Sequence, residues 1–273
     1  MQKLEISANQ IKMETQPFGV GGFGKVYKAK WRNTDVVVKV LKVGNVEDTQ
    51  KAMNEVSLTL HLNHPNVVNL YGITTVSPKK IGIVMEVAER GSLDQLIGKI
   101  DRVRTTKIAL GIIDGLEHVH MKYVIHRDIK PKNILMFGPE VDMIPKIADF
   151  GVSKVIQTSE ESHTHTGQQL YMAPEVKMFK HYSFPADIFS LTMTLFEMFN
   201  ERLLLESQRE VTRFIMNVHH GRIGEFPDSC KVPEYVHSIL KRGWDRKPEK
   251  RPQLSEFYTT IDGNFHDVSC THS

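Results

Sequence analysis

The hydrophobic pattern changes its period once along this chain, near Glu86 to Gly91, and that change limits the fold more than any other feature. Before it, apolar residues fall in short Val-rich runs: Phe18 to Lys30, Val36 to Val40, Val67 to Ile73 and Lys80 to Glu86. Runs of β-branched residues separated by glycine or polar turns read as strands. Asn33-Thr34-Asp35 reads as a hairpin turn. One helix interrupts them, Glu47 to Leu62, with Ala52, Met53, Val56 and Leu60 on one face. It ends before His64-Pro65, because the residue preceding a proline disfavours the α region. After Gly91 the spacing turns helical. Thr105 to Lys122 repeats Ile108, Ile112, Leu116 and Val119 on one face, and Pro185 to Phe199 is apolar nearly all round, which predicts a buried helix. Helices near Glu210 to His219, Pro233 to Arg242 and Leu254 to Ile261 supply neighbours to cover it. Two short strands, Ile134 to Phe137 and Lys146 to Ala148, lie between. The expected fold is α+β in two lobes: a β-rich lobe with one long helix (11–85), a connection (86–90) and a helical lobe (91–262), flanked by tails 1–10 and 263–273.

Composition removes several function classes. Lys+Arg total 35 against Asp+Glu 32, a net charge of +3 over 273 residues, which gives no argument for a nucleic-acid partner. The longest apolar stretch, Ile81 to Ala88, is far short of the roughly 20 residues that span a bilayer. The first residues carry no apolar signal core. Two cysteines, Cys230 and Cys270, are too few for a disulfide framework and suit a reducing compartment. The expectation is a soluble, cytoplasmic protein without membrane insertion.

The chemistry is concentrated in four short segments. Gly19-Val20-Gly21-Gly22-Phe23-Gly24-Lys25-Val26 spaces its glycines as G-x-G-x-x-G-x-V, and glycine lets backbone approach phosphates without a Cβ in the way. The bland reading is a tight hairpin. A dinucleotide-binding reading would need a helix directly after the glycines; Val26-Tyr27-Lys28-Ala29 continues as strand instead. Lys39 ends the strand Val36-Val37-Val38, either as a solvated strand end or as a phosphate contact steadied by Glu55. His126-Arg127-Asp128-Ile129-Lys130-Pro131-Lys132-Asn133 places a carboxylate able to accept a hydroxyl proton beside a lysine. Asn133, with Asp149 of Asp149-Phe150-Gly151, offers hard oxygen ligands suited to Mg²⁺.

In this order, and with Ala173-Pro174-Glu175 following, the segments resemble the eukaryotic protein kinase domain over residues 11–262. His126-Arg127-Asp128-Ile129-Lys130-Pro131, Gly91-Ser92-Leu93 and Tyr171-Met172-Ala173-Pro174-Glu175 resemble its tyrosine-kinase-like branch, and Lys130 resembles the Ser/Thr mark. The resemblance implies a protein serine/threonine kinase that moves the γ-phosphoryl of ATP, with Mg²⁺ or Mn²⁺, to a protein substrate. It implies that residues 19–24 cover the phosphates. Lys39 contacts them and pairs with Glu55, Asp128 handles the substrate hydroxyl with Lys130 beside it, and Asn133 and Asp149 hold metal. Met85 stands beside adenine, the backbones of Glu86 and Ala88 bond it, and Val26, Val37 and Leu135 sandwich it. Asp187 braces the catalytic loop, and Arg251 pairs with Glu175. The alternatives are a nucleotide-binding pseudokinase acting as a scaffold, and a tyrosine or dual-specificity kinase.

Two positions depart from the family pattern. Val37 stands where most kinases have alanine, and Gln168 where Ser/Thr kinases carry a threonine that bonds the catalytic aspartate and lysine. Arg127 before the aspartate resembles kinases switched by loop phosphorylation. Ser162, Thr164 and Thr166 are the candidate acceptors, with an upstream kinase or a second copy of the chain as donor; a phosphate adds about −1.5 to −2 charge for Arg127 to meet. The bland reading is a polar loop, Thr158 to Gln169.

Overall fold

The computed structural model describes residues 5–21, 24–44, 53, 56–57, 59–150, 168–179, 182–206 and 209–269. The chain forms two compact units. The first runs to Glu89 and takes in Asp149 and Phe150; the second comprises Arg90–Ala148 and the described residues from 168 onward.

The first unit is a six-stranded antiparallel sheet. Its strands are β1 (Ile11–Met13), β2 (Gly19–Gly21), β3 (Gly24–Trp31), β4 (Thr34–Lys42), β5 (Leu70–Ser77) and β6 (Lys80–Met85). The order is β1-β3-β4-β6-β5, with β2 pairing β3. Strand alternation separates two faces. Val36, Val38, Val40, Ala29 and Val84 are buried on one, and Ile6 joins them. The other face carries Val37 and Lys39, whose cross-strand partners are Lys28 and Met85 for Val37, and Val26 and Ile83 for Lys39.

Boundaries differ from the sequence reading in several places. The turn is Arg32-Asn33, with Arg32 at φ 54°, rather than residues 33–35. β-Branched Thr34 pairs with Trp31, and Asp35 sits across from Lys30, 3.4 Å from its ammonium. Val67 and Val68 are buried but precede the strand: the Val67 N–H closes a turn onto His64 O at 3.0 Å, and β5 starts at Leu70. Ile6, assigned to a tail, is core, and its N–H donates to the Ile73 carbonyl at 2.7 Å. The helix expected over 47–62 falls mostly outside the described residues. Met53, Val56, Ser57 and Thr59 are helical, with Val56 fully buried.

The second unit is built on helices α1 (Arg102–Met121), α2 (Pro174–Phe179), α3 (Phe184–Phe199), α4 (Arg209–His219), α5 (Glu234–Gly243) and α6 (Leu254–Ser269), with a two-stranded ladder, β7 (Ile134–Phe137) and β8 (Ile144–Ile147). α2 was not anticipated, and α6 runs past its expected end at Ile261. Every residue of α3 from Ala186 to Phe199 is buried. Its hydroxyls are satisfied internally: Thr192 donates to Ile188 O at 2.7 Å and Thr194 to Ser190 O at 3.0 Å. Aromatic rings close over Phe196, with Trp244 edge-on at 5.5 Å between centroids and Phe214 stacked at 6.1 Å. Gly243 lets α5 approach α3, since a Cβ there would lie 2.2 Å from the Thr192 hydroxyl. α1 is capped by Asp101, whose carboxylate accepts the Arg104 N–H at 2.8 Å. Arg102 in its first turn donates to the last-turn carbonyl of α3, Phe199 O, at 2.9 Å.

Candidate active site

In the first unit the glycine segment is a hairpin. Gly19 faces Val26 and Gly21 faces Gly24 across β2 and β3. Gly24 has φ 141°, and a Cβ there would lie 2.3 Å from the Val40 carbonyl, so this position requires glycine for its own packing. Val20 lies in β2; Gly22 and Phe23 lie outside the described residues. The Lys39 side chain is 8% exposed, and its ammonium sits 2.7 Å from an Asp149 carboxylate oxygen. Asp149 itself has φ 63°, a left-handed conformation that aspartate adopts more readily than most side chains. Glu55, the expected partner of Lys39, lies outside the described residues. Met85 and Val37 are buried cross-strand neighbours. After β6, the Glu86 N–H donates to Asn69 O at 3.2 Å, while the Glu86 carboxylate accepts the Asn69 N–H at 2.7 Å. Ala88 follows in irregular, half-buried backbone.

In the second unit the segment 126–133 is a loop tied almost atom by atom. Lys130 Nζ donates to Asp128 Oδ2 at 2.9 Å. Asn133 Nδ2 donates to the same oxygen at 2.9 Å and to the Asp128 carbonyl at 2.7 Å. With Nδ2 so used, the amide oxygen of Asn133 is the group left to meet a cation. His126 is fully buried; Nε2 donates to Ala148 O at 2.8 Å, which leaves Nδ1 to accept the Asp128 N–H at 3.2 Å. Leu135 is the second residue of the ladder that follows, half-buried and bridged to Ser92.

Asp187, near the start of α3, holds this loop. One carboxylate oxygen accepts the Arg127 N–H at 2.8 Å; the other accepts the His126 N–H at 2.8 Å and faces His120 Nε2 at 2.9 Å. Arg127 is thereby kept at φ 70°, and its guanidinium lies 5.6 Å from the centre of the Tyr182 ring. Burial, and then the negative charge of Asp128, pushes the Tyr182 phenol up. Below the loop, Arg251 meets Glu175 through two parallel bonds of 2.7 and 2.8 Å and also donates to Pro185 O at 2.7 Å.

Sequence reasoning missed His120, Tyr182 and a buried pair, Tyr171 and Glu197. Glu197 is 1% exposed and accepts the Tyr171 hydroxyl and the Leu204 N–H, each at 2.7 Å. Burial pushes its carboxyl up to about 7. A carboxylate inside a helix that is apolar all round was the available signal, since a buried charge needs partners. His120 carried a weaker one: it stands four residues after Leu116, on the buried face of α1.

Ser162, Thr164 and Thr166 lie outside the described residues, as does the side chain of Gln168, whose backbone opens a short 3₁₀ turn (Gln168–Leu170). Among the described residues no three His, Cys, Asp or Glu side chains form a metal cage. Asn133 in the second unit and Asp149 in the first each carry an oxygen of the hard type that Mg²⁺ takes, the ion completing its shell with phosphate and water.

The protein kinase domain family matches residues 13–260. The chain belongs to the protein kinase family. It is 32% identical over 275 residues to a serine/threonine-protein kinase, TNNI3K, of Rattus norvegicus, covering 96% of this chain and 32% of that protein. It is 30% identical over 274 residues to serine/threonine-protein kinase STY17 of Arabidopsis thaliana, covering 97% and 46%. It is 32% identical over 272 residues to dual specificity protein kinase shkC of Dictyostelium discoideum, covering 94% and 52%. The chain thus spans about a third to a half of the length of the curated relatives it matches. Among the described residues no helix is long and apolar enough to cross a membrane.

Proposed function

We propose that the chain is the catalytic domain of a serine/threonine kinase of the tyrosine-kinase-like branch, transferring the γ-phosphoryl of ATP to protein hydroxyls. The observation that carries this reading is the state of Asp128, held by Lys130 and Asn133 with its loop pinned to buried Asp187. A carboxylate oriented in this way suits proton acceptance from a substrate hydroxyl. Lys130 lies where it can offset charge on the transferring group. Lys39 is the phosphate contact from the first unit, together with the glycine turn. Val26, Val37, Met85 and Leu135 frame the base, and the Glu86–Ala88 backbone bonds it. Asn133 and Asp149 would each offer an oxygen to Mg²⁺, or to Mn²⁺ in its place, and the ion would neutralise phosphate charge.

Phosphorylation of Ser162, Thr164 or Thr166, by an upstream kinase or a second copy, would give Arg127 a charged partner and couple this activity to signalling. The low cysteine count, with Cys230 a free thiol among the described residues, supports a cytoplasmic location. The test is the identity of the phosphorylated residue. The chain is incubated with γ-labelled ATP, Mg²⁺ and a mixed acceptor protein, and the product is hydrolysed. Label on serine and threonine is expected. Label confined to tyrosine would overturn the specificity. Label equal to that of a Lys39→Met variant would favour the scaffold reading.

A further inference from the structure

The stripe Glu210, Arg213, Phe214 and Asn217 of α4 keeps helical spacing, yet only Phe214 on it is apolar. Together with the segment from Gly221 to Glu225 and Pro227 it lines a cleft of about 620 Å³. From Arg222 to Pro227 the chain runs without helix, turn or bend. The backbone N–H and C=O groups of Ile223, Gly224, Glu225 and Phe226 bond no described residue. Beyond its chain neighbours, no atom lies within 4 Å of the position a Cβ on Gly224 would take. An exposed run of unpaired backbone is a ready template for an added strand.

Charge at the cleft is one-sided. Arg213 and Arg222 line it, and Arg246 lays its stem on Gly221, where a Cβ would lie 3.3 Å from Arg246 Cδ. All three arginines are exposed, and among the described residues none has an ion pair or a hydrogen bond. Of the acids, Glu225 is neutralised by Lys241 at 2.8 Å. Glu210 accepts the Ser229 hydroxyl at 3.1 Å, and Asp228 follows on the turn beyond Pro227. Three arginines thus stand against Glu210 and Asp228, and the balance left to meet a ligand is positive. Met216, 56% exposed and one turn on from Arg213, extends the apolar surface beside the cleft. Arginine, methionine and aromatic side chains in one patch are the composition of a protein interface.

We propose that this cleft docks an extended acidic segment of another protein. The backbone of that segment pairs with residues 223–226, which favours a peptide over a free anion. Side chains alternate along an extended chain, so apolar residues on one face meet Phe214 and Pro227 while carboxylates on the other meet Arg213, Arg222 and Arg246. The planar guanidinium suits this task, because it can hold a carboxylate through two bonds.

The test reads binding and exchange, so it stands or falls separately from phosphoryl transfer. The probe is a fluorescein-tagged octapeptide that alternates glutamate with leucine, titrated into the intact chain. Exchanging its glutamates for glutamine is expected to weaken binding by on the order of tenfold, and added salt should weaken the glutamate peptide alone. Arg213→Ala/Arg222→Ala should cost a similar factor. Lys99→Ala/Lys107→Ala removes the same charge from another exposed face and should change binding by less than about twofold. Both double variants alter exposed side chains, so their melting temperatures should match wild type. With the peptide bound, amide hydrogen exchange at residues 223–226 should slow by on the order of tenfold, because those N–H groups gain acceptors. Four results would each overturn the proposal. The glutamine peptide binds as tightly, or the lysine pair costs as much as the arginine pair. Exchange at 223–226 is unchanged in the complex. Inorganic phosphate alone displaces the peptide, which would assign the arginines to a free anion. The arginine pair abolishes self-association of the chain and leaves peptide binding intact, which would assign the cleft to a second copy.

Discussion

The two units carry their candidate catalytic groups in different ways. In the first, Lys39 stands on the face of a sheet and meets the carboxylate of Asp149, whose side chain is 28% exposed. The register of β3, β4 and β6 fixes where Lys39 emerges, through backbone bonds that do not involve its side chain. In the second, Asp128 belongs to a loop with no ladder to define it. Its geometry comes from side chains that bond backbone: Asp187 to two N–H groups, His126 to Ala148 O, Asn133 to Asp128 O. A sheet supplies position independently of function, whereas a loop must be built from the same polar residues that surround the chemistry. Substitutions should therefore separate turnover from stability in the first unit and combine them in the second.

The largest effect on folding is expected from Asp187→Ala. It leaves the buried N–H of His126 and the half-buried N–H of Arg127 without an acceptor, removes the partner of His120, and frees the strained backbone at Arg127. A loss of about 3–5 kcal/mol of unfolding free energy, together with activity, is expected in denaturant titration. A loss below about 1 kcal/mol would show that the loop stands without its brace.

Lys39→Met sharpens the contrast from the other side. Phosphoryl transfer should fall by about 10²-fold or more, as when one charge-stabilising group is removed. The unfolding free energy should change by only about 1 kcal/mol, because the sheet register remains and Asp149 is partly solvated. A stability loss as large as that of Asp187→Ala would erase the distinction.

Glu197 gives a smaller effect with a definite sign. Its carboxyl is raised from the ordinary value of 4.5 to about 7, so the folded state keeps a proton that the unfolded state gives up. Stability from this group is complete below about 4.5 and declines as pH rises toward about 7, by at most about 1.4 kcal/mol per unit. Glu197→Gln lacks the titration, so its melting temperature relative to wild type should improve between pH 5 and pH 7.5. A pH-independent difference would contradict the assignment.

Local signals carried much of this organisation. β7 has the bounds read from sequence, Ile134 to Phe137, and α3 differs by one residue, because an apolar run bounded by turn or proline leaves few alternatives. Asp128, Lys130 and Asn133 were legible because they are neighbours in the chain and bond one another. Positions depending on distant partners were not, except where the family resemblance named them, as with Asp187 and the Glu175–Arg251 pair. His120 and Asp187 are 67 residues apart, and Tyr171 and Glu197 are 26 apart. No periodicity encodes which buried acid meets which donor. The turn at Arg32-Asn33 was misplaced by one residue because Asn and Asp suit a turn on either side of Thr34.

The central claim, that Asp128 performs the proton-handling role in phosphoryl transfer, is tested most directly by Asp128→Asn. The amide preserves size and can still accept from Lys130 and Asn133, so the melting temperature should stay close to wild type. Steady-state transfer from ATP to a protein acceptor should fall by about 10²–10⁴-fold. Transfer at the wild-type rate by a folded Asp128→Asn chain would contradict the account.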